Sequence, residues 1–105
     1  MSKIKVIIKR PDEEKGHVTA ISNTLKNLQK TVGGYIEVVQ LDMHDGTVLI
    51  CNEDGKLIGL PSNCRCMGYL LVGTIIIAGF GAGDFTDVSD KTVELWKKGE
   101  LFSYE

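Results

Sequence analysis

Hydrophobic and polar residues alternate almost from the start of the chain. In Lys3-Ile4-Lys5-Val6-Ile7-Ile8-Lys9-Arg10, Ile4, Val6 and Ile8 fall on one face and Lys3, Lys5 and Lys9 on the other. A period of two predicts a half-buried strand, and Pro11 stops it because proline brings no amide hydrogen to a ladder. Asp12 to Gly16 reads as a charged loop, and His17-Val18-Thr19-Ala20-Ile21 as a returning hairpin partner. The period then lengthens. Leu25, Leu28 and Val32 share one helical face while Lys26, Asn27 and Lys30 face water. Ser22 supplies an N-cap hydroxyl for this ten-residue helix, and Gly33-Gly34 accepts the left-handed turn that ends it.

Tyr35 to Leu41 and Thr47 to Cys51 are the next two β-rich runs, and Asp45-Gly46 between them is a hairpin signal because both residues tolerate positive φ. A second Asp-Gly, Asp54-Gly55, predicts a turn into a short strand Lys56-Leu57-Ile58, with Leu57 and Leu60 directed at the core. Pro61 to Gly68 reads as irregular. Leu70 to Phe80 is the most buried strand, interrupted at Gly73, and residues 79–85 form a flexible glycine-rich connection. A second helix starts at Ser89. Val88 and Val93 have the spacing of a hydrophobic staple, Asp90 and Lys97-Lys98 suit the helix dipole, and Gly99 closes the element. Val93 and Trp96 mark its buried face. The order β-β-α-β-β-β-β-α defines an α+β fold: a mainly antiparallel sheet of five to six strands with two short helices on one side, one domain over residues 1–105.

Composition narrows the function classes. At 105 residues the chain is a single domain able to bury a core without staples. A net charge of −2 argues against duplex nucleic acid, whose binders carry a basic stripe. The longest apolar run, Tyr69 to Phe80, holds twelve residues, whereas a bilayer-spanning helix needs about 20. No membrane association is expected. Met1-Ser2-Lys3 leads straight into the strand pattern, so no secretion signal is expected. The three cysteines then read as reduced thiols in a cytoplasm.

No run of residues carries a catalytic signature. Gly79-Phe80-Gly81-Ala82-Gly83 lacks the following helix start and Gly-Lys-Ser/Thr of a phosphate loop, and reads as a turn. Cys64-Arg65-Cys66 lacks the paired spacing of structural zinc, so neither metal nor cofactor is expected, although Arg65 could lower a neighbouring thiol's pKa. His17 and His44 read as solvated turn histidines. Glu53 and Asp84 are the acids that would serve a small hydrolase if they met at one end of the sheet. Polar groups held by turn geometry (Asn52, Lys56, Asn63 and Arg65) are candidate contacts to an anion or a base. Tyr35 and Phe85, beside Asp84, are candidate stacking faces, although a core role is the favoured reading for each.

Several stretches together resemble a domain-of-unknown-function family found in phages, plasmids and other mobile elements, largely of Gram-positive bacteria. They are Lys5-Val6-Ile7-Ile8-Lys9-Arg10-Pro11, Leu28 to Glu37 with Val32-Gly33-Gly34-Tyr35, Asn52-Glu53-Asp54-Gly55-Lys56-Leu57-Ile58-Gly59-Leu60-Pro61-Ser62-Asn63, Gly73 to Ile77, and Asp84-Phe85. Cys64-Arg65-Cys66 lies outside the pattern. The resemblance implies a setting and no reaction. It leads to the expectation of a non-enzymatic protein, compatible with a homo-oligomer, that counters host defence by sequestering a nucleotide-derived signal. The alternatives are docking on a host defence protein, through a sheet edge or a loop, and a small hydrolase using Glu53 or Asp84.

Overall fold

The computed structural model describes residues 2–104 apart from Asp42 and His44, so the reading of His44 lies outside the described residues. Its elements are β1 (Lys3–Lys9), β2 (His17–Ser22), α1 (Leu25–Val32), β3 (Ile36–Gln40), β4 (Thr47–Asn52), β5 (Ser62–Cys66), β6 (Tyr69–Val72), β7 (Ile75–Gly81), β8 (Asp84–Thr86), α2 (Asp90–Lys97) and β9 (Phe102–Ser103). A six-stranded antiparallel sheet runs β2-β1-β7-β4-β3, with β8 also paired to β7. A second, three-stranded sheet runs β6-β5-β9. The fold is α+β, as the periodicity predicts.

Three layers result. On one face of the large sheet, α1 packs Leu28 and Val32 over Ile4, Val6, Ile8, Val48, Ile50 and Ile76. On the other, α2 and the small sheet pack Val93, Cys64, Cys66, Leu71 and Phe102 over Ile7, Leu49, Ile75 and Ile77. The two helices therefore lie on opposite faces, not on one side. β1 is correspondingly covered on both faces rather than half-buried, and Ile7, which breaks its polar row, is the residue that signals the second layer.

Local chemistry explains the boundaries. Thr24, not Ser22, caps α1, accepting from the Asn27 amide at 3.1 Å. The helix is consequently eight residues long, and Leu25, in its first turn, is exposed. Gly33 ends it at φ +82°. Ser89 caps α2 as expected. The β3–β4 hairpin forms in the register Ile36↔Asn52 to Gln40↔Val48.

Four other expectations are overturned. Residues 53–59 coil in successive turns instead of forming a strand over Lys56–Ile58. The Ile58 amide bonds Asp54 O at 3.0 Å and Leu60 N bonds Gly55 O at 2.9 Å. Gly55 is required by close approach, since a Cβ there would stand 2.9 Å from Val72 Cγ2. Leu57 consequently points into solvent, 88% exposed. Residues 61–68 are not irregular: β5 and β6 form a hairpin closed by Met67 (φ +49°) and Gly68 (φ +90°). Residues 79–85 are a second tight hairpin, closed by Ala82 (φ +53°) and Gly83 (φ +79°). The break at Gly73 stands as read; it separates β6 from β7 and sends them to different sheets.

Candidate functional site

The β3–β4 ladder sets which side chains meet. The Glu53 amide bonds Tyr35 O at 2.8 Å and the Leu41 amide bonds Thr47 O at 3.1 Å. Both pairs continue the β3–β4 register, and hydrogen-bonded pairs alternate along an antiparallel ladder. Odd-numbered residues of β3 therefore turn their backbone groups toward β4. Side chains alternate as well, so Glu37 and Val39 share one face with Leu49 and Cys51 opposite them.

That row forms one wall of a cleft of about 240 Å³. Lys56 and Leu57 from the coiled turn border it, and β6 supplies the other wall through Tyr69, Leu70, Leu71 and Val72. Leu49 and Leu71 are buried at its floor, whereas Leu57, Tyr69 and Leu70 are exposed at its rim. Its charged lining is Glu37, Glu53 and Lys56. Cys51 Sγ lies 4.0 Å from Glu37 Oε1. Burial, and then the Glu37 charge, push this thiol upward, with Lys56 opposing, so it stays protonated near neutral pH.

The candidate residues are dispersed over the molecule. Asn52 lines the cleft but is buried: its Nδ2 donates to Val32 O at 3.2 Å and its Oδ1 accepts from the Asp54 amide at 2.8 Å. It ties the end of α1 to the coiled turn. Of the polar set, Lys56 and Asn52 line the cleft, and Tyr35, 70% exposed, stands at its end through the Glu53 pairing. Asn63 lies elsewhere, donating to Lys9 O at 2.9 Å and Gly73 O at 2.8 Å. Arg65 is exposed on β5, between Leu70 and Ser103 in the register.

Asp84 and Phe85 open β8. Asp84 Oδ1 accepts from Asn23 Nδ2 at 3.2 Å and from the Phe85 amide at 2.7 Å, and the Phe85 ring meets Phe80 edge-on at 5.6 Å. Glu53 follows the far end of β4, six residues beyond Thr47, which is level with Gly79 and Thr86. Asp84 pairs with Gly81, two residues further on, so at roughly 3.3 Å per residue the two acids lie about 26 Å apart along the sheet. The expectation that Glu53 and Asp84 meet at one sheet end does not hold.

The cysteines likewise depart from their reading. Cys64 and Cys66 face the core while Arg65, between them, faces out. Burial pushes their thiols up to about 11 and about 12, with Lys9 opposing the first shift and Cys64 adding to the second. Arg65 therefore does not activate them. Among the described residues no three His, Cys, Asp or Glu side chains gather as a metal would require.

Two polar centres were not legible as such. Lys9, assigned to the solvent face, is 1% exposed. Its Nζ donates to Glu13 O at 2.7 Å, Asn63 Oδ1 at 2.8 Å and Arg10 O at 3.4 Å, beneath the Tyr104 ring at 5.1 Å. Asp45, read only as a turn residue, accepts from Thr47 Oγ1 and Ser89 Oγ at 2.6 Å each and from Thr92 Oγ1 at 3.1 Å. Burial alone would raise its carboxyl, but these hydroxyls and the Thr47 amide carry it down to about 2. It locks the α2 N-cap to the β3–β4 loop.

An α+β domain with an open cleft beside an edge strand is the class these observations define. The chain belongs to the DUF3846 family, a domain of unknown function, whose pattern it matches over residues 4–100. No curated protein and no solved structure matches it. Among the described residues no helix is long and apolar enough to cross a membrane.

Proposed function

We propose that this protein is a non-enzymatic binding module of a mobile element, which counters host defence by docking a segment of a host protein in the cleft between β3, β4 and β6. The observation that carries the reading is the lining. An apolar floor of Val39, Leu49 and Leu71 opens between exposed Leu57, Tyr69 and Leu70, with Glu37 and Glu53 at its edge. Exposed apolar side chains gathered around a groove, rimmed by charge, suit a protein segment.

A nucleotide-derived signal is the second reading. It is favoured by Lys56 and Tyr69 in one cleft, with Tyr35 at its end, a cation beside phenol faces. Two carboxylates against one ammonium oppose it, because a phosphate there meets net negative charge. Asn52 and Asn63, which would have served as base contacts, spend their amides on internal bonds.

The test compares wild type with the double variant Leu57→Glu, Tyr69→Glu, which charges the rim without touching the buried floor. Immobilised wild type is expected to retain one host protein in stoichiometric amount from a bacterial lysate, and the variant to lose it. In parallel, cyclic oligonucleotides and ADP-ribose-type signals are added before thermal melting. Ligand at about 100 Kd would stabilise by roughly 2.7 kcal/mol, a shift of several degrees. Equal retention by the variant overturns the docking reading, and a melting shift with one of the nucleotides replaces it with the second.

A further inference from the structure

The β3 wall of the cleft belongs to the last strand of the large sheet, and its free edge has a definite chemistry. Since the odd-numbered residues of β3 pair with β4, Ile36, Val38 and Gln40 turn their N–H and C=O groups outward. Among the described residues nothing bonds these groups. The strand is continuous in register with β4 and carries no proline, lysine or bulge; of the usual means of blunting an edge it has one charge, Glu37, which faces the cleft.

Both faces beside this edge are grooved. On the α2 side lies the cleft over Val39 and Leu49. On the α1 side lies a hollow of about 330 Å³ lined by Val38, Gln40, Gly46, Val48 and Phe80, with Val38 44% and Phe80 45% exposed. A strand added here would place alternate side chains in the two grooves, as the pleat requires. The cleft side is acidic, because Glu37 and Glu53 form no ion pair among the described residues and face Lys56 alone. The hollow bears no charge.

We propose that the partner adds an extended segment as a seventh strand along β3, with apolar side chains in both grooves and a basic side chain directed at Glu37 and Glu53. This rests on the reading of the cleft as a protein-binding site. A second copy of the chain fits less well. Antiparallel pairing of β3 with itself about Val38 sets Glu37 opposite Val39 of the other copy, so two Glu37 carboxylates share one face with both copies' Glu53 nearby.

The test selects randomised peptides of about eight residues, ordinary strand length with its ends, on the immobilised protein. The expected consensus alternates apolar residues and carries Lys or Arg at one cleft-facing position. Its binding falls at least about tenfold in Val38→Pro, which removes an outward N–H and no bond to β4. On Glu37→Lys the preferred charge reverses. The wild-type complex, read by amide hydrogen exchange, gains protection at Ile36, Val38 and Gln40, which decides the question even where Val38→Pro is poorly folded. A consensus without alternation, or no added protection at those amides, overturns the proposal. So does protection that appears without peptide as the protein dimerises. Peptides that bind Val38→Pro as tightly as wild type but fail on Leu57→Glu, Tyr69→Glu overturn strand addition while the cleft reading survives. If neither variant weakens them, both readings fall.

Discussion

Lys9 and Asn63 hold each other reciprocally: Lys9 Nζ donates to Asn63 Oδ1 at 2.8 Å, and Asn63 Nδ2 donates to Lys9 O at 2.9 Å. The pair fastens β1 to the start of β5, and the second Asn63 proton extends the tie to Gly73 O. It brings a buried ammonium to neutral acceptors, with no carboxylate partner among the described residues. Removing the amide leaves that charge under-solvated and two carbonyls unbonded, whereas removing the charge leaves acceptors that are near water. Asn63→Ala is expected to cost about 3 kcal/mol and Lys9→Met about 1 kcal/mol or less. Urea midpoints at unchanged slope measure both, and equal costs would contradict this account.

The failure to place Lys9 from sequence has a physical cause. Strand period assigns a residue to a face but cannot say whether that face is covered, and the small sheet that covers it contacts β1 only through the fold. The same limit applies to the helices, whose amphipathic stripes were plain while their opposite placement was not. Asp45 was visible as a turn former; its hydroxyl partners Ser89 and Thr92 lie more than forty residues away. The cleft is a further case. Its walls come from β3, β4 and β6, and the break at Gly73, though legible, does not say that β6 leaves for a different sheet from β7. Local chemistry was legible where it is short in range, as at the Ser89 cap, the Gly33 stop and the β3–β4 register.

Asp45 predicts an acid limit to stability. Its carboxyl titrates at about 2 in the fold against 3.8 as the ordinary value. A group depressed by folding contributes stability that is fully present above the unfolded value and disappears as pH falls through the folded one. Wild type is therefore expected to lose stability between about pH 4 and pH 2 through this carboxylate. Asp45→Ala should be less stable at neutral pH by about 2 kcal/mol, since three hydroxyls lose their acceptor. Its urea midpoint should vary less than that of wild type over the acid window, and parallel curves would remove Asp45 from the explanation.

Two tight hairpins depend on non-glycine residues at positive φ, Met67 at +49° and Ala82 at +53°. Each is followed by glycine, and each lacks the Asn or Asp that usually marks such turns, which is why neither stretch announced itself as a hairpin. Asparagine tolerates the left-handed region better than alanine or methionine. Ala82→Asn is expected to stabilise by about 0.5–1 kcal/mol, and Ala82→Val to destabilise by about 1–2 kcal/mol. The sign difference between these two exposed substitutions, read in thermal or urea unfolding, is the decisive feature.

Cys51 offers a chemical reporter of the cleft. Its thiol is half-buried, 4.0 Å from Glu37 Oε1, and is pushed up by burial first and by that carboxylate second. Alkylation proceeds through the thiolate, so labelling by iodoacetamide near neutral pH should be slow and should quicken as pH rises. Glu37→Gln removes the like charge and is expected to raise the rate several-fold at fixed pH, with the fold unchanged by melting. Cys64 and Cys66, buried and shifted to about 11 and about 12, should remain unlabelled while the protein is folded. A peptide seated over Val39 and Leu49 must also cover Cys51, which lines the same wall. Saturating peptide should therefore protect Cys51 in wild type and leave its rate unchanged in Leu57→Glu, Tyr69→Glu. Unprotected labelling of Cys51 in a saturated complex would place the ligand elsewhere on the molecule.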